Sequence, residues 1–147
     1  NFNDVKKIGI LVDAENDPAA RQDQILDGFS MMGFPNDVGG IQDYVITDGD
    51  KKSGFFIMPG QGAEGRIENL VVQELETKEV WGCIQQYKEC VESVIEKELD
   101  NKSLVQIGIS TIDGSICGLG IAFRSSVLNI NHLTYAPIVT MINKLVE

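Results

Sequence analysis

Three acidic residues, Asp13, Glu15 and Asp17, directly follow the apolar run at 8–12. A run without polar alternation is typical of a strand covered on both faces, as the central strand of a parallel sheet is. Ligands of open α/β sheets bind at the carboxyl ends of such strands. In an extended segment Asp13 and Glu15 would point to the same side, and a cation between two adjacent carboxylates relieves their repulsion. The pair therefore predicts a site for Mg²⁺ or Mn²⁺, which prefer oxygen ligands.

A purely structural interpretation of the same residues stays open at this point. Asp17 followed by Pro18 is the pattern of a helix N-cap with a proline at the first helical position, and we assign Asp17 that role. Asp13 would then end a strand without a further function. For Asp13 and Glu15 the sequence does not decide between a structural role and metal binding.

Composition limits the architecture and the partners. A chain of 147 residues suits one compact domain, and we predict a single domain over 1–147. The net charge of −10 argues against broad electrostatic attachment to nucleic acid or anionic lipid, so any phosphate chemistry would need a metal ion. No stretch is apolar over the roughly 18 residues that a membrane span requires, and no signal-peptide pattern opens the chain. We therefore expect a cytoplasmic protein with no membrane partner.

The three cysteines, Cys83, Cys90 and Cys117, are an odd number without CxxC spacing. Neither a disulfide framework nor a zinc site is indicated, and we expect reduced thiols. A catalytic triad needs a nucleophile as well as a histidine, and the sequence has no GxSxG-type motif that would supply one. We therefore interpret the only histidine, His132, as a turn residue. The sequence gives no indication of the oligomeric state.

Hydrophobic periodicity predicts an alternation of strands and helices. The expected elements are a strand at 8–12, a helix at 18–32, a hairpin with arms 44–47 and 54–58, and helices at 66–75, 80–99 and 136–145. The segment 102–123 is ambiguous. Val105, Ile107 and Ile109 alternate and Asp113 precedes a glycine, which by pattern alone is typical of a second hairpin.

A glycine-rich loop, 60–65, separates the second arm of the hairpin from the next helix. Its backbone amides could hold phosphate, but it lacks the lysine and Ser/Thr of a P-loop and the GxGxxG spacing. A plain connecting turn is the favoured interpretation. Glu68 follows in the first turn of the helix, where it either faces the crevice or decorates an exposed helix surface.

Two blocks resemble a small Toprim-like family of prokaryotic proteins of unknown function. The first is 8–18, a strand that ends in Asp13-Ala14-Glu15, and the second is 55–60 followed by 65–68. The resemblance implies the Toprim fold of topoisomerases, primases and overcoming-lysogenization-defect nucleases, an α/β three-layer sandwich with a mainly parallel central sheet and flanking helices. It implies magnesium at Asp13 and Glu15, with Glu68 as a further metal contact. For 102–113 it implies helices, and we adopt helices there.

The sequence departs from this family in three places. Glu15 replaces the second aspartate of the acidic motif, and Gly60 replaces the aspartate after Met-Pro. The glutamate that serves Toprim enzymes as general acid or base comes from an earlier strand that these residues do not include, and we expect such a strand upstream. The leading hypothesis is Mg²⁺-dependent phosphodiester chemistry, with nucleic acid reached through the metal. One alternative is a non-catalytic interaction or regulatory module that keeps the fold and weak metal binding. Another is a nucleotide-binding domain that uses the loop 60–65.

Overall fold

The computed structural model describes residues 4–42, 44–60, 62–116 and 118–147. Within them the chain is a mixed α/β protein with a three-stranded sheet and six α-helices. The elements are β1 (Lys7–Asp13), α1 (Pro18–Met31), β2 (Val45–Asp48), β3 (Lys51–Met58), α2 (Ile67–Leu75), α3 (Trp81–Ile95), α4 (Asn101–Ile112), α5 (Leu119–Arg124) and α6 (Ala136–Val146), with 3₁₀ turns at Val38–Gly40 and Leu133–Tyr135.

The chain divides into two compact units. The sheet unit contains the residues up to Ile67 together with Tyr135–Glu147, and the helical unit is Glu68–Thr134. That all of 1–147 forms a single domain stays a prediction from length.

The sheet of the first unit has the order β1-β3-β2. β1 pairs with β3 in parallel and β2 pairs with β3 antiparallel, which confirms the predicted hairpin. The sheet is therefore mixed, and the expectation of a mainly parallel sheet is not confirmed. The central strand is β3, in which every residue from Ser53 to Met58 is buried.

Within the described residues, the run 8–12 does not form the central strand that the sequence predicted. Among these residues β1 lies at an edge of the sheet, and none of the residues of β1 is fully buried. The run is aliphatic because helices approach it from both sides. Ile8 and Ile10 pack against the core of α1 around Phe29, while the opposite face meets α6. Partial cover by two helices leaves the same apolar pattern in a sequence as complete burial does.

Glycine permits the close approach of α6 to the sheet. Gly9 and Gly54 are paired neighbours in β1 and β3. A Cβ at Gly9 would lie 2.8 Å from Leu145 Cδ2, and a Cβ at Gly54 would lie 3.3 Å from Met141 Cγ. A side chain at Gly9 would displace the end of Leu145, and one at Gly54 would crowd Met141, so these two glycines allow α6 to pack closely on the sheet.

Local signals predicted α1 well. The Asp17 carboxylate accepts a hydrogen bond from the Ala20 N–H at 2.9 Å, and Pro18 is the first helical residue. The helix stops at Met31 because Gly33 takes a left-handed conformation with φ +70°. The N-cap assigned to Asp17 is confirmed.

In the helical unit, the hairpin pattern of 102–123 is wrong and the helices are confirmed. α4 begins after Asp100, whose side chain accepts the Ser103 N–H at 2.8 Å. Its buried residues are Leu104, Val105, Gly108 and Ile109, which is a helical spacing. The alternation of β-branched residues was misleading because tertiary packing of this face outweighs the intrinsic strand preference.

Helix α3 is shorter than the predicted 80–99. It ends at Ile95 because Glu96 adopts a left-handed conformation with φ +53°. Ile84 is its only buried residue, and Tyr87 and Val94, which have the helical spacing of a core face with Ile84, are exposed. Amphipathic periodicity therefore located the helix but overestimated the surface that it buries.

Candidate functional site

Asp13 is the last residue of β1 and pairs in register with Met58, the last residue of β3. The parallel pairing brings the carboxyl ends of the two strands to one edge of the sheet, as the sequence predicted. The half-buried Asp13 side chain accepts a hydrogen bond on Oδ1 from the Ile67 N–H at 2.8 Å. Asp13 thereby joins the end of β1 to the segment that follows the glycine-rich loop.

Glu15 does not continue the strand. Its φ of +55° turns the backbone, so the expectation that Asp13 and Glu15 share a strand face by alternation is wrong. Glu15 instead forms a two-way backbone bridge with Gly65, with N···O distances of 2.9 and 2.8 Å. The backbone hydrogen bonds between Glu15 and Gly65 satisfy polar groups on both residues, and this favours the turned conformation of Glu15 over an extended one.

The glycine-rich loop 60–65 is described except for Gln61. Ala63 N–H donates to Gly60 O at 3.1 Å, and Gly65 N–H donates to Glu15 O. Gly65 has φ +134°, a conformation that other residues rarely adopt. The loop therefore forms a turn whose backbone is hydrogen-bonded to Glu15. This supports its interpretation as a connecting turn over its interpretation as a phosphate-binding loop.

Arg66 is a residue of this region that was not predicted from the sequence. Its guanidinium donates to Glu15 Oε2 from Nε at 2.9 Å and lies 2.7 Å from the same oxygen through Nη2. Both side chains are partly exposed, at 55% and 40%. The sequence offers no local signal for this pair, because the two residues are 51 positions apart.

Glu68 lies in the first turn of α2, in the helical unit, and is half-buried. Its proposed role as a metal contact stays a prediction from the sequence. Among the described residues, no three His, Cys, Asp or Glu side chains gather in a cluster of the kind that holds a metal ion. In the sheet unit a site would therefore depend on the two carboxylates Asp13 and Glu15 and on water.

A depression of about 290 Å³ lies beside Glu15 in the sheet unit. It adjoins the amino end of α1, so a ligand there would meet both acidic and basic groups. The residues that line it are Ala14, Glu15, Asn16, Asp17, Ala20, Arg21 and Gln24.

A second carboxylate that the sequence analysis missed is Glu74, in the helical unit. It is 1% exposed, and its Oε1 accepts the Asn129 N–H at 3.0 Å and lies 3.0 Å from Lys78 Nζ. The signal was its position in α2, four residues after buried Leu70 and three after buried Val71. Glu74 holds the segment at Asn129 to the end of α2.

The remaining predictions concern the histidine and the cysteines, which lie outside the region of Asp13 and the region of Glu74, and membrane-spanning helices. His132 Nδ1 lies 2.8 Å from Thr134 Oγ1, a local contact that suits a turn residue. Cys83 and Cys90 are free and exposed, and Cys117 lies outside the described residues. None of the helices in the described part of the chain is long and apolar enough to cross a membrane.

Comparison with known proteins gives one match. The model of a family described as "Protein of unknown function (DUF3226)" matches residues 1–147. No curated protein and no solved structure matches the chain. Because the match covers every residue, the chain belongs to the family of proteins of unknown function DUF3226.

Proposed function

We propose that the sheet unit is a Toprim-like domain whose acidic strand end binds Mg²⁺ or Mn²⁺ weakly and serves phosphodiester chemistry. One observation carries the proposal. Asp13 ends β1 beside the end of β3 in a parallel pair, and its carboxylate is held in place by the Ile67 N–H. A carboxylate fixed at the carboxyl edge of parallel strands occupies the position at which α/β folds bind ligands.

The ion would be held by few protein groups. Asp13 and Glu15 supply two carboxylates, and Glu68 is added by the sequence resemblance alone. Sites with one or two carboxylates keep several waters, so we expect a dissociation constant on the order of 1 mM. The ion would neutralise a phosphate group and activate a water molecule, functions that a chain with net charge −10 does not otherwise supply.

Titration with Mn²⁺, followed by calorimetry and by water proton relaxation, tests the site. We expect Asp13→Asn to weaken binding about tenfold, because the asparagine keeps the hydrogen bond from Ile67 but removes the charge. Asp17→Asn is the matched control, since asparagine also caps helices. Equal binding by the wild type and Asp13→Asn, or no binding by either, refutes the proposal.

We also expect this chain by itself to cut DNA slowly or not at all. Phosphodiester cleavage needs proton transfer as well as a metal, and such transfer contributes about 10²–10⁴-fold. Glu15, which a metal-based site needs as a ligand, is ion-paired with Arg66. Incubation with supercoiled and single-stranded DNA in Mg²⁺ and in Mn²⁺ tests this. Cutting that disappears in Asp13→Asn would contradict it.

A second candidate is a non-catalytic regulatory module, and the Arg66–Glu15 pair favours it. A guanidinium 2.7 Å from Glu15 Oε2 already provides the positive charge that a metal would bring. In that case the wild type keeps only very weak Mn²⁺ binding, and Arg66→Gln strengthens it strongly because Glu15 is released. In the leading proposal the wild type binds, and Arg66→Gln changes the affinity only moderately.

A further inference from the structure

One face of α3, in the helical unit, is exposed although it has few polar side chains. The four residues of this face, which we call the α3 stripe, are Cys83, Tyr87, Cys90 and Val94. At about 100° of rotation per residue they share an arc of about 60°. Val94 is 76% exposed, Tyr87 is 52% exposed, and both cysteines are exposed. Alternating steps of three and four residues are the pattern by which one helix packs lengthwise on another.

A groove of about 500 Å³ lies beside the stripe, where α3 packs against α4. It is lined by Cys83, Ile84 and Tyr87 of α3 and by four residues of α4, the first of them Gln106 and the last Thr111. Ile84 is 1% exposed, so the groove reaches the core of the helical unit. Cys83 and Tyr87 belong both to the stripe and to the wall of the groove. The amino-terminal half of the stripe is therefore hollow.

The charged residues of α3 point away from the stripe. They are Lys88, Glu89 and Glu92, which share an arc of about 100° on the opposite side of the helix. Lys88 and Glu92 also pair with each other at 3.8 Å. α4 has no charged residue from Ser103 to Ile112. In a chain with net charge −10, this surface can face its own copy without bringing like charges together.

We propose that the α3 stripe is the interface of a homodimer, in which α3 packs antiparallel on α3 of a second copy. The two-fold axis passes the helix at the level of residues 88 and 89. In this register Cys83 lies opposite Val94 of the second copy, and Tyr87 lies opposite Cys90. Val94 of each copy enters the groove of the other.

Self-complementarity is the reason for choosing a second copy as the occupant of the groove. A two-fold interface uses the same surface on both subunits, so that surface must carry both a projection and the hollow that receives it. α3 has both on one face. Val94 is the projection, and the hollow at Cys83 lies eleven residues earlier in the same helix.

The residues beside the stripe also suit this arrangement. Gln86 and Ser93 border the stripe on the side away from Ile84, and both are exposed. In the proposed register Gln86 of one copy comes close to Ser93 of the other. They form a polar and uncharged rim around an apolar centre, which is the usual composition of a protein interface. The ring of Tyr87 packs on the second copy while its hydroxyl group stays near water.

Sedimentation velocity of the full chain over a range of concentrations provides the first test. We expect a dimer of twice 16.1 kDa at high concentration. Val94→Glu, which places a charge in the groove of the other copy, should raise the dimer dissociation constant about tenfold or more. Leu133→Glu is the matched control, because Leu133 is 79% exposed in the helical unit but lies outside α3 and α4. A monomer at every concentration, a dimer that Val94→Glu does not weaken, or equal weakening by Leu133→Glu overturns the proposal.

Thiol crosslinking provides the second test and examines the register. In a background of Cys90→Ser and Cys117→Ser, a short bis-maleimide should join Cys83 of one copy to the thiol introduced by Val94→Cys in the other. The background alone should give no covalent dimer, because the two Cys83 residues would lie about 16 Å apart along the helices. Glu89→Cys is the matched control, since Glu89 is exposed on the opposite side of α3. Covalent dimers from both variants, from neither, or from Glu89→Cys alone overturn the register.

Discussion

Asp13 and Glu74 make the same kind of contact in two different surroundings. Each accepts a hydrogen bond from a backbone N–H far along the chain, 54 residues away for Asp13 and 55 for Glu74. Asp13 is half-buried at the end of a strand, whereas Glu74 is 1% exposed among helices. A buried carboxylate must be satisfied by the protein itself, while a half-buried one can still exchange with ligands and water. Burial therefore separates a structural carboxylate from one that is open to chemistry.

The hydrogen-bond partners of Glu74 also indicate that its role is structural. Lys78 and the Asn129 N–H both bind Oε1, while Oε2 has no hydrogen-bond partner among the described residues. Such an arrangement restricts the acid to one function, which is to fix the segment at Asn129. Asp13 contributes one oxygen to a single backbone amide, so its role in the fold is smaller.

The largest effect that we expect is from Glu74→Ala. It leaves the Asn129 N–H without its acceptor and Lys78 without its partner, and we expect a loss of about 3 kcal/mol in the free energy of unfolding. Urea unfolding measures the loss. Glu76→Ala, an exposed glutamate in the same segment, is the control and should change stability by less than about 0.5 kcal/mol. Equal losses of stability in the two variants would contradict a structural role for the Glu74 carboxylate.

A smaller effect is expected at Asp13. Asp13→Ala removes the acceptor for the Ile67 N–H and should cost about 1–2 kcal/mol, whereas Asp13→Asn keeps the acceptor and should cost less than about 1 kcal/mol. Both variants should lose Mn²⁺ binding to a similar extent, because both lack the charge. A loss at Asp13→Asn as large as that of Glu74→Ala would place Asp13 among the structural carboxylates.

The smallest effect is expected at Asp100, an exposed carboxylate that caps α4. The Ser103 hydroxyl, followed by the Ser103 N–H, holds the pKa of Asp100 below its usual value of 3.8. The ionised cap therefore contributes its full stabilisation above pH 3.8 and loses it as the pH falls through the lowered pKa. Asp100→Asn should flatten this part of the stability profile, which lies below about pH 3.8. Gln73→Ala, at an exposed and uncharged residue of α2, should leave the shape of the profile unchanged. An identical profile for the two variants would contradict the assignment.

Local signals in the sequence were sufficient for several elements. The Asp17 cap, Pro18 and Gly33 located α1, and the turn at Gly49 located the hairpin of β2 and β3. The position of Asp13 at a strand end also followed from the sequence, because an apolar run that stops at a charge is a local feature. These predictions succeeded because the interactions that decide them span only a few residues.

The tertiary structure decided the features that depend on distant segments. It placed β1 at an edge, turned Glu15 toward Gly65 and Arg66, and buried Glu74 against Asn129. Each of these depends on contacts between segments more than 40 residues apart in the chain. A hydrophobic pattern records that a residue is covered but not by which segment, so only the packing of strands and helices could decide them.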